Sequence, residues 1–375
     1  MRRKVVVFIV TLTVLLINSC INTYAQDISE LEKSVDDLKS SLSKEVQEDL
    51  DSLGASASDI SSMSEISFDS VMSLIFSKLS NESKGPLSSS AIVIAVLIIT
   101  ALMDSYKDAL KQSSMNEVIN VVSTLCITTA IVLPVIDLIS DCIATVTDAA
   151  DFMLLYVPIM VAIVTFSGNP VSGASYYSFM VLACQGVSQI STKLISPLLN
   201  IYLGFTVSSS LTDRVNLRGF CNMFSKVIKW LIAFLMTVFS ALMTIRGMIT
   251  TAYDSVTARA VRFTMSSFVP IVGAALSESY KTIQGSINLL RTGAGVFVII
   301  AICVVFLPVV LRSLVWLLSI NFCKSIGEVL GVTTPINMLD TVSSVISTVF
   351  AITVCVMAVF VISTALLITL GGGAQ

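Results

Sequence analysis

The sequence predicts an all-α fold: a polytopic helical membrane protein with seven to nine spans, a cleaved signal peptide and a small helical extracytoplasmic N-terminal segment. Three observations carry that prediction. Of 375 residues, 55% are hydrophobic and only 13% charged, against about 25% charged in soluble domains. Mean hydropathy is +0.90. The apolar residues gather into runs near the ~17–25 residues that a bilayer-crossing helix needs. In hydrocarbon such a run must be helical, because its backbone has only itself to hydrogen-bond. So little charge argues against a water-soluble enzyme. The chain contains no histidine, which removes imidazole acid–base catalysis and histidine-ligated metal or haem sites.

Residues 1–25 form a processing signal. Arg2, Arg3 and Lys4 precede the apolar run Val5–Ile17, and Thr23 and Ala25 put small residues at the −3 and −1 positions before Gln26. That order of basic, apolar and small-residue regions marks a secretory signal. Cleavage after Ala25 is expected, with a retained anchor or a lipid attachment at Cys20 as alternatives. In each case the chain from Gln26 onward begins outside the cytoplasm.

Residues 26–86 form an acidic, Ser-rich helical segment. From Gln26 to Lys84 there are 13 Asp or Glu against 5 Lys, a net −8, whereas the whole chain carries only −3. Ile28, Leu31, Val35, Leu38, Leu42, Val46, Leu50 and Leu53 recur at helical spacing and make one apolar stripe. Gly54 is a natural stop. A second, less regular helix holds Ile60, Met63, Ile66, Val71, Leu74, Ile75 and Leu79. A segment this small and polar builds little core of its own, so its stripe packs on the second helix, another protein or the membrane surface.

Residues 87–370 hold the spans, ahead of a tail at 371–375. Clear candidates are Leu87–Met103, Val118–Ile136, Phe152–Ser167, Ala174–Ile190, Val227–Ile245, Gly293–Leu311 and Val342–Leu370; Leu194–Leu211 and Phe263–Leu276 are weaker. An outside N-terminus sends the first span inward and puts Lys107 and Lys111 in the cytoplasm, as the positive-inside rule prefers. If Leu194–Leu211 also crosses, Arg214, Arg218, Lys226 and Lys229 lie inside too. Nine crossings would leave Arg259 and Arg262 outside, so either the count is lower or that stretch is re-entrant.

Three features go beyond bulk hydrophobicity. Asp137, Asp141, Asp148 and Asp151 fall within a sector of about 80° of a helix at ~100° per residue, with Leu138, Ile139, Cys142, Ile143 and Val146 opposite. Carboxylates beside a bilayer are costly unless they face water or a partner. This face is therefore solvated surface, or else a polar cavity or interaction face. Second, Tyr156-Val157-Pro158-Ile159 is echoed 112 residues later by Phe268-Val269-Pro270-Ile271, a weak repeat of a kind common in membrane folds. Its prolines would kink or break equivalent helices. Third, charge returns between Asp254 and Arg291. Arg259 and Arg262 sit one turn apart before Phe263, and Glu278 and Lys281 one turn apart after it. Interfacial snorkelling accounts for these, as does pairing between subunits. Arg259, Arg262, Pro270, Gly273 and Glu278 are the candidate assembly or anchoring residues.

No phosphate-binding GxxxxGK[ST] loop, GxSxG nucleophile elbow or CxxC pair occurs. The cysteines lie in or near apolar runs and read as small hydrophobes. No basic patch invites nucleic acid. Catalytic residues, cofactor and metal are all expected to be none.

The run Ala258-Arg259-Ala260-Val261-Arg262-Phe263, then Phe268-Val269-Pro270-Ile271-Val272-Gly273, Ser277-Glu278, and Gly285, Leu290, Gly293 and Gly295 resembles the stage III sporulation protein AE family of endospore-forming bacteria. The order of parts is similar as well. The resemblance implies a non-enzymatic, multi-pass protein of the mother-cell membrane surrounding the forespore, in contact with membrane lipid. It implies assembly with other stage III sporulation A-operon proteins, and with stage II sporulation protein Q in the forespore membrane, into a secretion-like feeding channel needed for late forespore development. Energy would come from another subunit that resembles a secretion ATPase. A homo-oligomer is compatible with this. A permease subunit of a membrane transporter is the alternative left open by the proline-interrupted spans.

Overall fold

The computed structural model describes residues 30–31, 33–55, 66–110, 113–211, 218–268 and 273–369, and every regular element among them is a helix. Residues 1–25, expected to be a signal peptide ending at Ala25, lie outside the described residues.

The apolar stripe of the N-terminal segment is cut in two. Helix α1 takes residues 33–40 and α2 takes Lys44–Ser52. The break comes from polar side chains competing for the backbone. Ser43 leaves helical geometry and its hydroxyl accepts from the Val46 N–H at 3.4 Å. Gln47 Nε2 donates to Leu42 O at 2.7 Å. Leu31, Val35, Leu38, Leu42, Leu50 and Leu53 are all buried nonetheless. Gly54 ends α2 at φ 70°, a conformation glycine adopts without strain. Helix α3 (Phe68–Glu82) is capped by Ser67, whose hydroxyl accepts from the Asp69 N–H.

Then come α4 (Lys84–Leu110), α5 (Ser113–Phe166), α6 (Pro170–Ile190), a π turn (Ser191–Ile195), α7 (Ser196–Leu211), α8 (Arg218–Phe268), α9 (Gly273–Leu330) and α10 (Thr333–Thr369). Six described stretches are long and apolar enough to cross a membrane: Lys84–Ser105, Val121–Phe166, Pro170–Ser208, Met223–Thr257, Gln284–Leu330 and Pro335–Thr369. Fewer stretches appear than the expected spans because two expected pairs are fused and the weaker candidate Phe263–Leu276 runs through residues 269–272, outside the described residues. Val118–Ile136 and Phe152–Ser167 both belong to α5. No glycine lies between Gly85 and Gly168, and Pro134 and Pro158 sit inside the continuous helix. Ala174–Ile190 and Leu194–Leu211 are joined through the π turn. Pro197 has no N–H to continue the ordinary ladder, and the Ser196 N–H reaches back to Ser191 O instead. At 54 residues, α5 is about 80 Å long, well beyond the ~30 Å hydrocarbon layer.

Helix α9 is the hub, touching α2, α3, α4, α5, α8 and α10. Its pairing with α10 starts at a turn where Gly331 has φ 75°. A Cβ on Gly327 would lie 2.9 Å from Ile336 Cγ1, and one on Gly295 would overlap Ile368. Glycines thus allow close approach at both ends of this antiparallel pair. Trp316, Tyr156, Phe297, Phe306 and Phe360 are among the largest buried side chains. Several buried hydroxyls are satisfied within their own helices: those of Ser90, Thr100, Ser313, Thr353 and Ser363 each donate to the carbonyl four residues back. That habit lets a Ser- and Thr-rich chain pack as apolar helices.

Candidate functional site

The polar side of α5 faces α2 and the end of α3. Asp141, Asp148 and Asp151 line a cleft of about 570 Å³ with Glu45 and Asp49 of α2, Glu82 at the end of α3, and Arg312 of α9. Asp137 is exposed and does not line it. The other side of this stretch is fully packed: Leu138, Cys142 and Val146 are 0% exposed, and Cys142 Sγ pairs with Thr353 Oγ1 of α10 at 3.1 Å. Amphipathicity thus fixes which way the carboxylates point.

Two cations fasten the cleft. Arg312 Nη1 donates to Asp141 Oδ2, and its Nε lies 4.0 Å from Glu82 Oε2. One guanidinium therefore ties the end of α3 to α5. Lys78 Nζ donates to Glu45 Oε1 at 2.6 Å and lies 2.7 Å from Asp49 Oδ2, which ties α3 to α2. Burial pushes the Glu82 carboxyl up from its usual range; Asp141 and Glu45 push the same way, against Arg312 and Lys78. Burial alone would lower the Lys78 ammonium, but its hydrogen bonds with Asp49 and Glu45 outweigh that and raise it.

Six carboxylates against Arg312 and Lys78 give the cleft a negative field, which concentrates cations and basic segments. Among the described residues no group of three or more Cys, Asp or Glu is arranged to hold a metal ion. The carboxylates are strung along three helices rather than converging.

The candidate assembly residues lie elsewhere. Arg259 is exposed on α8. Arg262 lies on α8, Gly273 opens α9 and Glu278 follows on it, while Pro270 is outside the described residues. Of the repeat's two prolines, Pro158 lies inside α5. Sequence reasoning missed Arg312, Lys78 and Asp254. A lone cation ending an apolar run was the only signal for Arg312. For the Asp254 carboxylate, which accepts from the backbone N–H groups of Val171 and Ser172, there was none.

The family described as stage III sporulation protein AE matches residues 53–371. A relative from Bacillus subtilis (strain 168), described as stage III sporulation protein AE, is 23% identical over 234 residues. The match covers 62% of this chain and 57% of that relative's length, so the chain aligns with little more than half of it. No solved structure matches. With the all-helical, span-rich architecture and a family match over most of its length, the chain belongs to the stage III sporulation protein AE family.

Proposed function

We propose that this chain is a non-enzymatic membrane subunit of a secretion-like channel between mother cell and forespore, needed for late forespore development. Family membership supports the sporulation role. The acidic cleft between exported helices and bundle is the observation that carries the reading further. If the mature N-terminus is extracytoplasmic, α4 leads inward and the first half of α5 leads back out. Asp141, Asp148 and Asp151 then stand on the side of α1–α3, in agreement with the contacts of Arg312. Helix α5 leaves the hydrocarbon near Asp137 in this reading, which removes the cost of carboxylates in lipid.

The negative cleft serves as a polar cavity or as a face for a basic segment of a partner. The partners are other stage III sporulation A-operon proteins and stage II sporulation protein Q. Arg259, Arg262, Pro270, Gly273 and Glu278 serve assembly or anchoring, and Ala25 is the last residue of the signal. Co-purification from membranes of sporulating cells tests the reading. Recovery of those partners, with a deletion that stops development after engulfment and spares vegetative growth, is the expected result. A vegetative uptake defect without partner recovery would favour a transporter permease instead.

A further inference from the structure

The seam between α8 and α10 holds a cation with no carboxylate partner. Lys229 Nζ donates to Ser347 Oγ at 3.2 Å, and no acid pairs with it among the described residues. Around it the Ser225 and Thr348 hydroxyls pair at 3.1 Å, and Ser344 Oγ donates to Ser225 Oγ at 3.3 Å. An ammonium has three protons to donate, and only one is used here. Lys226, one turn earlier, is exposed. Trp230 is adjacent, 67% exposed and stacked on Phe234, the placement of an aromatic at headgroup level.

Deeper along the same seam runs an apolar groove of about 200 Å³. Its walls include Gly186 and Ile190 of α6, Ile232 and Met236 of α8, and Cys355 and Val359 of α10. Ile232 and Met236 share a helix face with Lys229, one and two turns on. The π turn forms part of the wall through Ser191 and Ile195, and such turns recur at functional sites. A Cβ on Gly186 would meet nothing within 4 Å, so the groove is open there.

We propose that this seam binds one anionic phospholipid, with its phosphate on Lys229 and the neighbouring hydroxyls and an acyl chain in the groove. Charge complementarity selects the occupant. Lys229 beside hydroxyls, with Lys226 exposed one turn earlier, suits a phosphate, and an apolar groove whose wall begins at Ile232, one turn on, suits a chain attached to it. The proposal rests on α8 and α10 lying in a membrane and is independent of the complex the protein joins.

Native mass spectrometry of the full chain tests it, with phosphatidylglycerol and phosphatidylcholine of identical chains as probes and inorganic phosphate as competitor. Phosphatidylglycerol should be retained roughly tenfold better, one lysine being worth about fivefold. Lys229→Gln should lower that preference about fivefold, and Lys229→Arg should restore it. Gly186→Leu should weaken binding of both lipids by filling the groove. Melting in detergent is followed for every variant, and the Lys229→Arg comparison stands even if Gly186→Leu does not fold. Equal retention of the two lipids, displacement by inorganic phosphate alone, or a co-purifying protein segment in the seam would each overturn the proposal.

Discussion

Asp254 Oδ2 accepts a hydrogen bond from the Ser172 N–H at 2.8 Å, and Oδ1 accepts one from Val171 at 3.1 Å. A carboxylate on α8 thereby caps the start of α6. Among the described residues the helix has no other side-chain cap: Asn169, at the cap position, turns its amide back to Ser167 and makes no capping bond. Asp254 is 1% exposed. The positive end of the α6 dipole and its first N–H groups compensate the buried carboxylate, with no cation paired to it among the described residues. The same turn is gripped by Gln284 Nε2 of α9, which donates to Ser167 O at 2.8 Å. Asp254→Ala strands two donors, that of Ser172 buried, and is expected to cost about 2–3 kcal/mol; Asp254→Asn keeps one acceptor and costs less. Melting of the purified protein in detergent should rank wild type above Asn above Ala. An Ala variant that melts with wild type would refute the cap.

Arg312 ties the end of α3 to α5, beside the apolar contacts that seat α2 and α3 on the bundle. Both members of its pair with Asp141 are part exposed, at 27% and 46%, so removing it through Arg312→Gln should cost only about 0.2–1 kcal/mol. Arg312→Glu is different in kind, because it adds a carboxylate to a cleft that already has six. Limited proteolysis within α2 should speed up slightly for the Gln variant and strongly for the Glu variant. Asp141→Arg combined with Arg312→Glu should recover much of the protection. No recovery would show that the pair does not hold the segment.

The cleft also sets a pH dependence. Glu82 binds its proton more tightly folded than unfolded. Its contribution is therefore complete below its ordinary value of 4.5 and is lost as pH rises through the raised value. The docked segment loosens as Glu82 ionises, and Glu82→Gln should hold it more firmly at neutral pH. Lys78 is raised above 10.5, so its contribution persists below 10.5 and disappears as pH rises past the raised value. Hydrogen exchange of α2 amides, compared between wild type and Glu82→Gln at each pH, reads the first effect directly. Identical ratios at pH 4 and pH 7 would exclude Glu82 as its source.

What the sequence revealed and what it hid follow from range. The stripe from Leu31 to Leu53, the stop at Gly54 and the shared face of Asp141, Asp148 and Asp151 are local periodicities, and local geometry enforces them. The break at Ser43 was also local, but it hangs on which serine hydroxyl takes a backbone N–H, and several compete in Ser40-Ser41-Leu42-Ser43. The fusion of two spans in α5 escaped because polar residues between apolar runs look like a loop. Here they are one wet face of an unbroken helix. Arg312 finds Asp141 across 171 positions, and Asp254 finds Ser172 across 82. Spacing along one chain carries no record of such partners.

Arg291 and Gly295 meet Ile368 in opposite ways, and their variants should diverge. Arg291 is 2% exposed and donates through Nη2 to Ile368 O at 3.0 Å. A cation is welcome at that last turn of α10, where carbonyls lack helical partners. Its Nε and Nη1 have no partner among the described residues, nor have the hydroxyls of Tyr156 and Tyr176. A buried charge so poorly satisfied costs more than one contact returns, and apolar replacement of buried ions is often neutral or stabilising. Arg291→Met keeps the length and packing of the side chain, so it should melt within about 1 kcal/mol of wild type or above it. Gly295→Val instead drives new atoms into Ile368 and should lose about 1–3 kcal/mol. Sporulation assays then separate stability from role: a stable Arg291→Met protein that fails to support spores would mark the guanidinium as needed by the assembled complex. Melting of Arg291→Met far below wild type would show that the single bond to Ile368 holds the end of α10 in place.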